Sequence, residues 1–145
     1  MAAQGRQPAI RLIAALACVS AALLSTPGCQ KSLRYHGQSG LVATWQARTL
    51  SVELPDPVRV PGAHYAAVEA LIARGYAIES DDTTADRGYV SARGPDATVM
   101  AGYRRVVVRT ALTPAAVGQT ITIEPAGDEV TARAILDDVL IRLGL

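Results

Sequence analysis

The residue pattern of this chain predicts an α+β fold, a two-layer sandwich in which an antiparallel sheet of four to five strands carries two helices on one face. Three observations predict it. Residues 49–54 and 120–124 alternate apolar and polar with the period of two that marks a half-buried strand. Residues 61–74 and 129–143 repeat their apolar side chains at helical spacing. Between these two segments lie short strand-like runs separated by turns, so the helices bracket a meander and are most simply buried together on one sheet face.

Each element has a local reason. Leu50, Val52 and Leu54 form the inward side of the first strand, with Ala43 and Trp45 extending it backward. The "PDP" at 55–57 ends it, because proline donates nothing to a ladder. Pro61 suits the first turn of the next helix, where its missing N–H is no loss. Tyr65, Val68, Leu71 and Ile72 are its expected buried side, and Gly75 its C-terminal cap. Strands follow at 76–79 and 89–93, around a turn over 80–88. Two further strands are read at 97–103 and 104–112, the second with Val106 and Val108 inward. After a turn at 113–119, Ile121 and Ile123 point inward and Thr120 and Thr122 outward. Asp128 is the expected N-cap of the last helix, with Glu129 at its positive end. Ala132, Ile135, Leu136, Val139 and Leu143 form its apolar stripe, and Glu129–Arg133, Arg133–Asp137 and Asp138–Arg142 lace its polar side.

The beginning of the chain differs in kind. Arg6 and Arg11 are the only charges in a polar head, and Leu12 to Leu24 is apolar apart from Ser20. That stretch is about 13 residues, short of the roughly 20 a spanning helix needs, and has the layout of a secretory signal. It runs into "STPGC", which resembles the lipobox of bacterial lipoproteins. In that family the cysteine, here Cys29, receives a diacylglycerol thioether and becomes the first mature residue. Gly28 supplies the small residue the chemistry needs, while Thr26 and Pro27 stand where the motif usually has leucine and a different middle residue. An ordinary secretory signal is the alternative, but the nearest "ALA", Ala15 to Ala17, lies inside the apolar core. The expected organisation is therefore a signal at 1–28, a polar tether at 29–40 and one domain at 41–145. In the tether, Lys31, Arg34 and Tyr35 either suit a lipid interface or belong to a solvated linker, the expected reading. Cys18 falls within the signal, so no disulfide is expected.

Without the signal the chain has 117 residues, with 12 basic and 13 acidic side chains, a net charge near −1. That balance gives no electrostatic case for nucleic acid or a polybasic membrane patch. There is no phenylalanine, so the core must come from Ala, Val, Ile and Leu.

Two segments, "VEALIARGYAIESDDTTADRGYVSARG" and "TITIEPAGDEVTARAILDDVLIRL", resemble small bacterial envelope lipoproteins of a domain family without assigned function. The positions that carry the resemblance are Gly75, Tyr76, Gly88, Gly127, Asp128, Ile135 and Leu136, over roughly residues 58–145, with Pro125 a departure. The resemblance implies the sandwich and an envelope location, and no reaction.

Few side chains invite chemistry. His36 sits in the tether and His64 in the first helical turn, where a neutral or exposed histidine is expected. No serine or unmodified cysteine is spaced with histidine and acid as a nucleophilic set, and no spacing supplies three or four zinc ligands. Glu79, Asp81, Asp82 and Asp86 read as a solvated hairpin turn, since their spacing does not match a calcium loop. Asp137 and Asp138 are adjacent in a helix and point about 100° apart, which is no catalytic pair. Arg104, Arg105 and Arg109 read as a polar outer sheet face, or else as an anion-binding patch. The expected function is a non-enzymatic, lipid-anchored envelope protein, a binding or assembly module facing the periplasm or exterior. It needs no cofactor or metal, and its partners are the membrane and an envelope protein. The alternative is an anionic-ligand-binding lipoprotein or enzyme using arginine-bearing strands, with Arg87, Arg93 or Arg105 lining a deep polar pocket.

Overall fold

A three-stranded meander comes first: β1 (Ser32–His36), β2 (Leu41–Gln46) and β3 (Thr49–Leu54). Helix α1 (Val60–Ala73) then carries the chain to the far edge of the sheet. From there β4 (Ala77–Thr83), β5 (Arg87–Arg93), β6 (Arg105–Leu112) and β7 (Val117–Glu124) step back until β7 pairs with β3, and α2 (Glu129–Leu143) closes the chain. The result is a seven-stranded antiparallel sheet in the order β1-β2-β3-β7-β6-β5-β4. This computed structural model describes residues 31–95 and 104–145. The expected strand at 97–103, the signal at 1–28 and Cys29 lie outside the described residues.

The α+β class agrees with the sequence pattern, and the strand count does not. Seven strands stand where four to five were expected. The two unforeseen features are at the edges. Residues 32–36, expected as part of a tether, are edge strand β1, and edge strand β4, expected only over 76–79, runs on to Thr83 into the acid-rich stretch expected as a turn. Edge strands pair on one side only and tolerate charge, so neither shows the apolar alternation of a central strand. Residues 41–54 also divide into two strands, because the chain reverses at Ala47 and Arg48.

Both helices cover the same sheet face and pack on each other, α1 over β4, β5 and β6, and α2 over β1, β3 and β7. The side chains beneath them are Leu50, Val52 and Leu54 of β3, Val90 and Ala92 of β5, Val106 and Val108 of β6, and Ile121 and Ile123 of β7, all buried. The alternation read for β3, β6 and β7 is thus the observed one. On α2, Ala132, Ile135, Leu136 and Val139 are buried as expected, Leu143 is half-buried, and Leu140 joins the core. On α1 the expected face is right only in part. Leu71 is buried and Val68 packs partly buried against the core, but Tyr65 and Ile72 are exposed, and Ala63, His64, Ala66, Ala67 and Ala70 complete the buried side. Alanine lets a helix axis approach a sheet closely, so here small side chains, not large ones, mark the packed face.

The caps are specific. Asp128 accepts from the Thr131 N–H at 3.0 Å and from its hydroxyl at 2.7 Å. Past α1, the Gly75 N–H bonds Ile72 O at 2.9 Å and the Tyr76 N–H bonds Leu71 O at 3.0 Å, the paired closure that a left-handed residue such as Gly75 (φ 79°) permits. The β2–β3 turn is less comfortable. Ala47 and Arg48 have φ of 50° and 67°, the left-handed pair that two-residue hairpins require and that Asn-Gly usually supplies.

Two outcomes follow. Leu136, fully buried, should cost about 2–5 kcal/mol as Leu136→Ala, whereas Asp138→Ala, on the α2 side that meets Arg74, should cost less than about 1 kcal/mol. Equal losses in urea unfolding would show that the α2 stripe is not core. Ala47→Gly should raise stability by about 1 kcal/mol by relieving the left-handed turn. A lower unfolding midpoint in that variant would contradict the assigned turn geometry.

Candidate functional site

The polar side chains with the richest chemistry converge where edge strand β1 meets α2. Strand alternation turns Ser32 and His36 toward the helices, and one turn of α2 separates Glu129 from Arg133 and Arg133 from Asp137. Arg133, only 5% exposed, lies at the centre. Its Nε donates to Glu129 Oε1 at 2.8 Å, one terminal nitrogen donates to the Ser32 hydroxyl at 3.0 Å and carbonyl at 3.3 Å, and the other meets His36 Nε2 at 2.7 Å. Ser32 Oγ donates to Glu129 Oε1 at 2.6 Å, and His36 Nδ1 meets Asp137 Oδ1 at 2.7 Å. Since guanidinium has no acceptor, His36 Nε2 must accept from Arg133, which places the ring proton on Nδ1, donated to Asp137.

The cluster contains serine, histidine and carboxylates, yet its wiring is not that of a nucleophilic triad. The histidine atom that would take a serine proton is engaged by Arg133, and the Ser32 hydroxyl is directed at Glu129. The arrangement clamps β1 to α2. The Ser32 hydroxyl, followed by Arg133, holds the Glu129 carboxyl below its ordinary value, and the Thr131 backbone N–H does the same for Asp128.

The second histidine is also internal. His64 is 1% exposed, pressed between α1 and β5, and its Nε2 meets Asp81 Oδ1 at 2.6 Å. A Cβ on Gly88 would come within 2.7 Å of the His64 ring, so glycine is what lets the ring lie on the strand. Of the neutral or exposed histidine expected here, the exposure is corrected by this burial. The same contact separates the acids of β4. Asp81 faces His64 and Glu79 faces Arg105 at 3.4 Å, while Asp82 alternates to the other sheet face. Among the described residues no three His, Cys, Asp or Glu side chains are grouped as metal ligands.

The arginines do not converge either. Arg104 meets Asp128 at 3.2 Å, Arg105 lies between Glu79 and Glu124, and Arg109 covers the Tyr89 ring at 5.5 Å. Arg87 and Arg109 line an open hollow of about 400 Å³ on the outer sheet face, and Arg93 is exposed. Of the ion pairs read along α2, Glu129–Arg133 forms. Asp137 instead meets His36, Asp138 meets Arg74 at 2.5 Å, and Arg142 donates to the Asp138 carbonyl at 2.9 Å.

The outer sheet face is uncovered by either helix. Over its central strands Thr44, Ser51, Glu53, Thr113 and Thr120 line a shallow hollow of about 400 Å³. Toward β1 it turns apolar: Leu33 is 59%, Tyr35 80% and Val42 48% exposed, with Tyr35 directly opposite Val42 in the ladder. No described helix is long and apolar enough to cross a membrane. Compared with protein-family models and with curated proteins, the chain matches none.

Sequence reasoning missed His36 and Arg133 as partners, since they lie 97 residues apart. One signal was available: Arg133 lies between Ala132 and Ala134, one turn from both Glu129 and Asp137.

Breaking this clamp should be costly. Arg133→Met should lower stability by roughly 3 kcal/mol, because Glu129 and His36 are left facing an apolar side chain. The depressed Glu129 carboxyl sets a pH dependence. Its stabilisation is complete above the unfolded value near 4.5 and is lost as pH falls through the lower folded value. Thermal unfolding followed from about pH 5 to pH 3 should therefore decline, and Glu129→Gln should flatten that decline. Superimposable acid limbs for the two proteins would exclude Glu129 as a contributor.

Proposed function

We propose that this chain is a lipid-anchored envelope protein that acts as a binding or assembly module, with the lipid on Cys29. The observation that carries the reading is the spacing between thiol and fold. The apolar stretch ends at Leu24, Gly28 and Cys29 follow it, and the first strand begins at Ser32. A processed chain would thus pass from lipidated residue to folded sheet in three residues, and all the described strands would be kept after removal of residues 1–28. Burial of both histidines supports a non-catalytic role, because His36 and His64 are each committed to partners inside the domain. The uncovered outer sheet face supports a surface for contact. An anion-binding or enzymatic role on the arginine-bearing strands has less support, since Arg104 and Arg105 each face carboxylates.

The test is chemical. Cys29→Ser should abolish incorporation of labelled fatty acid and leave an unprocessed precursor in the membrane fraction. Undiminished labelling and normal processing in that variant would remove the lipoprotein reading.

A further inference from the structure

We infer that the outer face of the β1–β2 hairpin lies directly on the lipid surface that holds Cys29. The inference rests on the acylation proposed above and adds an orientation to it. A long flexible tether would leave the domain free to tumble. Here no such tether remains, because the stretch from 32 onward is edge strand β1. Leu33 and Tyr35 are four and six residues from Cys29, so the chain can span at most about 14 and 22 Å to reach them. A headgroup region is roughly 5–8 Å deep on each side of a bilayer. An acyl chain inserted at Cys29 therefore keeps β1 at the membrane surface.

Which face of β1 meets the lipid follows from alternation. Ser32 and His36 are held by α2 through Arg133 and Asp137, so that side of the strand is closed. Leu33 and Tyr35 project from the opposite side, and the ladder places Tyr35 against Val42 and Leu33 against Thr44. Leu33 and Tyr35 on β1 and Val42 on β2 are thus uncovered and on one face of the hairpin whose first strand lies next to the anchor in the chain. Tyrosine suits this boundary, with an apolar ring and a hydroxyl that remains wet. Lys31, exposed, adds positive charge beside the patch, and Glu53 on β3 bounds it on the side away from β1. The other candidate occupant, a second copy paired along the open edge of β1, would use the backbone of that edge and leave the apolar side chains uncovered.

The experiment uses the full chain, processed and acylated, in vesicles of phosphatidylethanolamine and phosphatidylglycerol. With Cys29 blocked by lipid, Thr44→Cys and Tyr65→Cys each provide one thiol for a nitroxide. Thr44 lies on the outer face opposite Leu33, whereas Tyr65 is exposed on α1 in the other layer. The label at 44 should lose access to an aqueous nickel complex while keeping access to oxygen, and the label at 65 should stay accessible to nickel. In a second background, Leu33→Ser, Tyr35→Ser and Val42→Ser together should return the label at 44 to water with the acyl group still attached. A label at 44 that is open to nickel in the unmodified background overturns the orientation and leaves the anchor standing. Absence of an acyl group on Cys29 overturns both. Spin–spin broadening at 44 that disappears on dilution with unlabelled protein assigns the face to a second copy and overturns the lipid contact.

Discussion

The closeness of the two layers is the constraint on which this fold depends. The chain has no phenylalanine, and its buried apolar side chains are Ala, Val, Leu and Ile. Such a core fills space only if helices and sheet approach closely, since packing tolerates few voids. Helix α1 meets that demand with Ala63, Ala66, Ala67 and Ala70 against the sheet and α2. Strand β5 meets it with Gly88, whose missing Cβ leaves room for the His64 ring. The C-terminus does the same at the opposite edge, where a Cβ on Gly37 would meet the Leu145 carbonyl oxygen at 3.0 Å.

Close layers leave little water, so polar groups between them need partners within the protein. Gln119, buried on β7, donates to the Ala63 carbonyl and the Thr110 hydroxyl, joining α1, β6 and β7. His64 and Asp81 join α1 to edge strand β4, and Arg133 joins α2 to edge strand β1. Both edges of the sheet are therefore held by a histidine–carboxylate contact to the helix above them. Such contacts bear on register as well as stability, because a slipped strand would leave the buried Arg133 and His64 without their partners. They also explain why two strands of polar sequence remain in the sheet.

The same economy shapes what the molecule presents outward. With the polar chemistry turned inward, the exposed helix-free face carries hydroxyls, arginines and, next to β1, three apolar side chains. This is the face proposed for contact, and its edge strand β1 begins three residues after Cys29 in the chain.

The sequence by itself determined the α+β class, both helices, the inward residues of β3, β6 and β7, and the capping roles of Gly75 and Asp128. These features are local: they depend on periodicity within a few residues or on one side chain meeting its own turn. The proposed lipidation of Cys29 rests on sequence alone, since that residue lies outside the described structure. Only the tertiary structure decided the membership of β1, the extension of β4 past Glu79, the inward turn of the α1 alanines and the burial of His36, His64 and Arg133. Each depends on a neighbour remote in the chain. Residues 32–36 become a strand because β2 pairs with them and Arg133 grips them, and His64 turns inward because Gly88 leaves a place for it. Hydrophobic periodicity is blind to such contacts, because they bury polar and small side chains whose partners are unknown until the chain is folded.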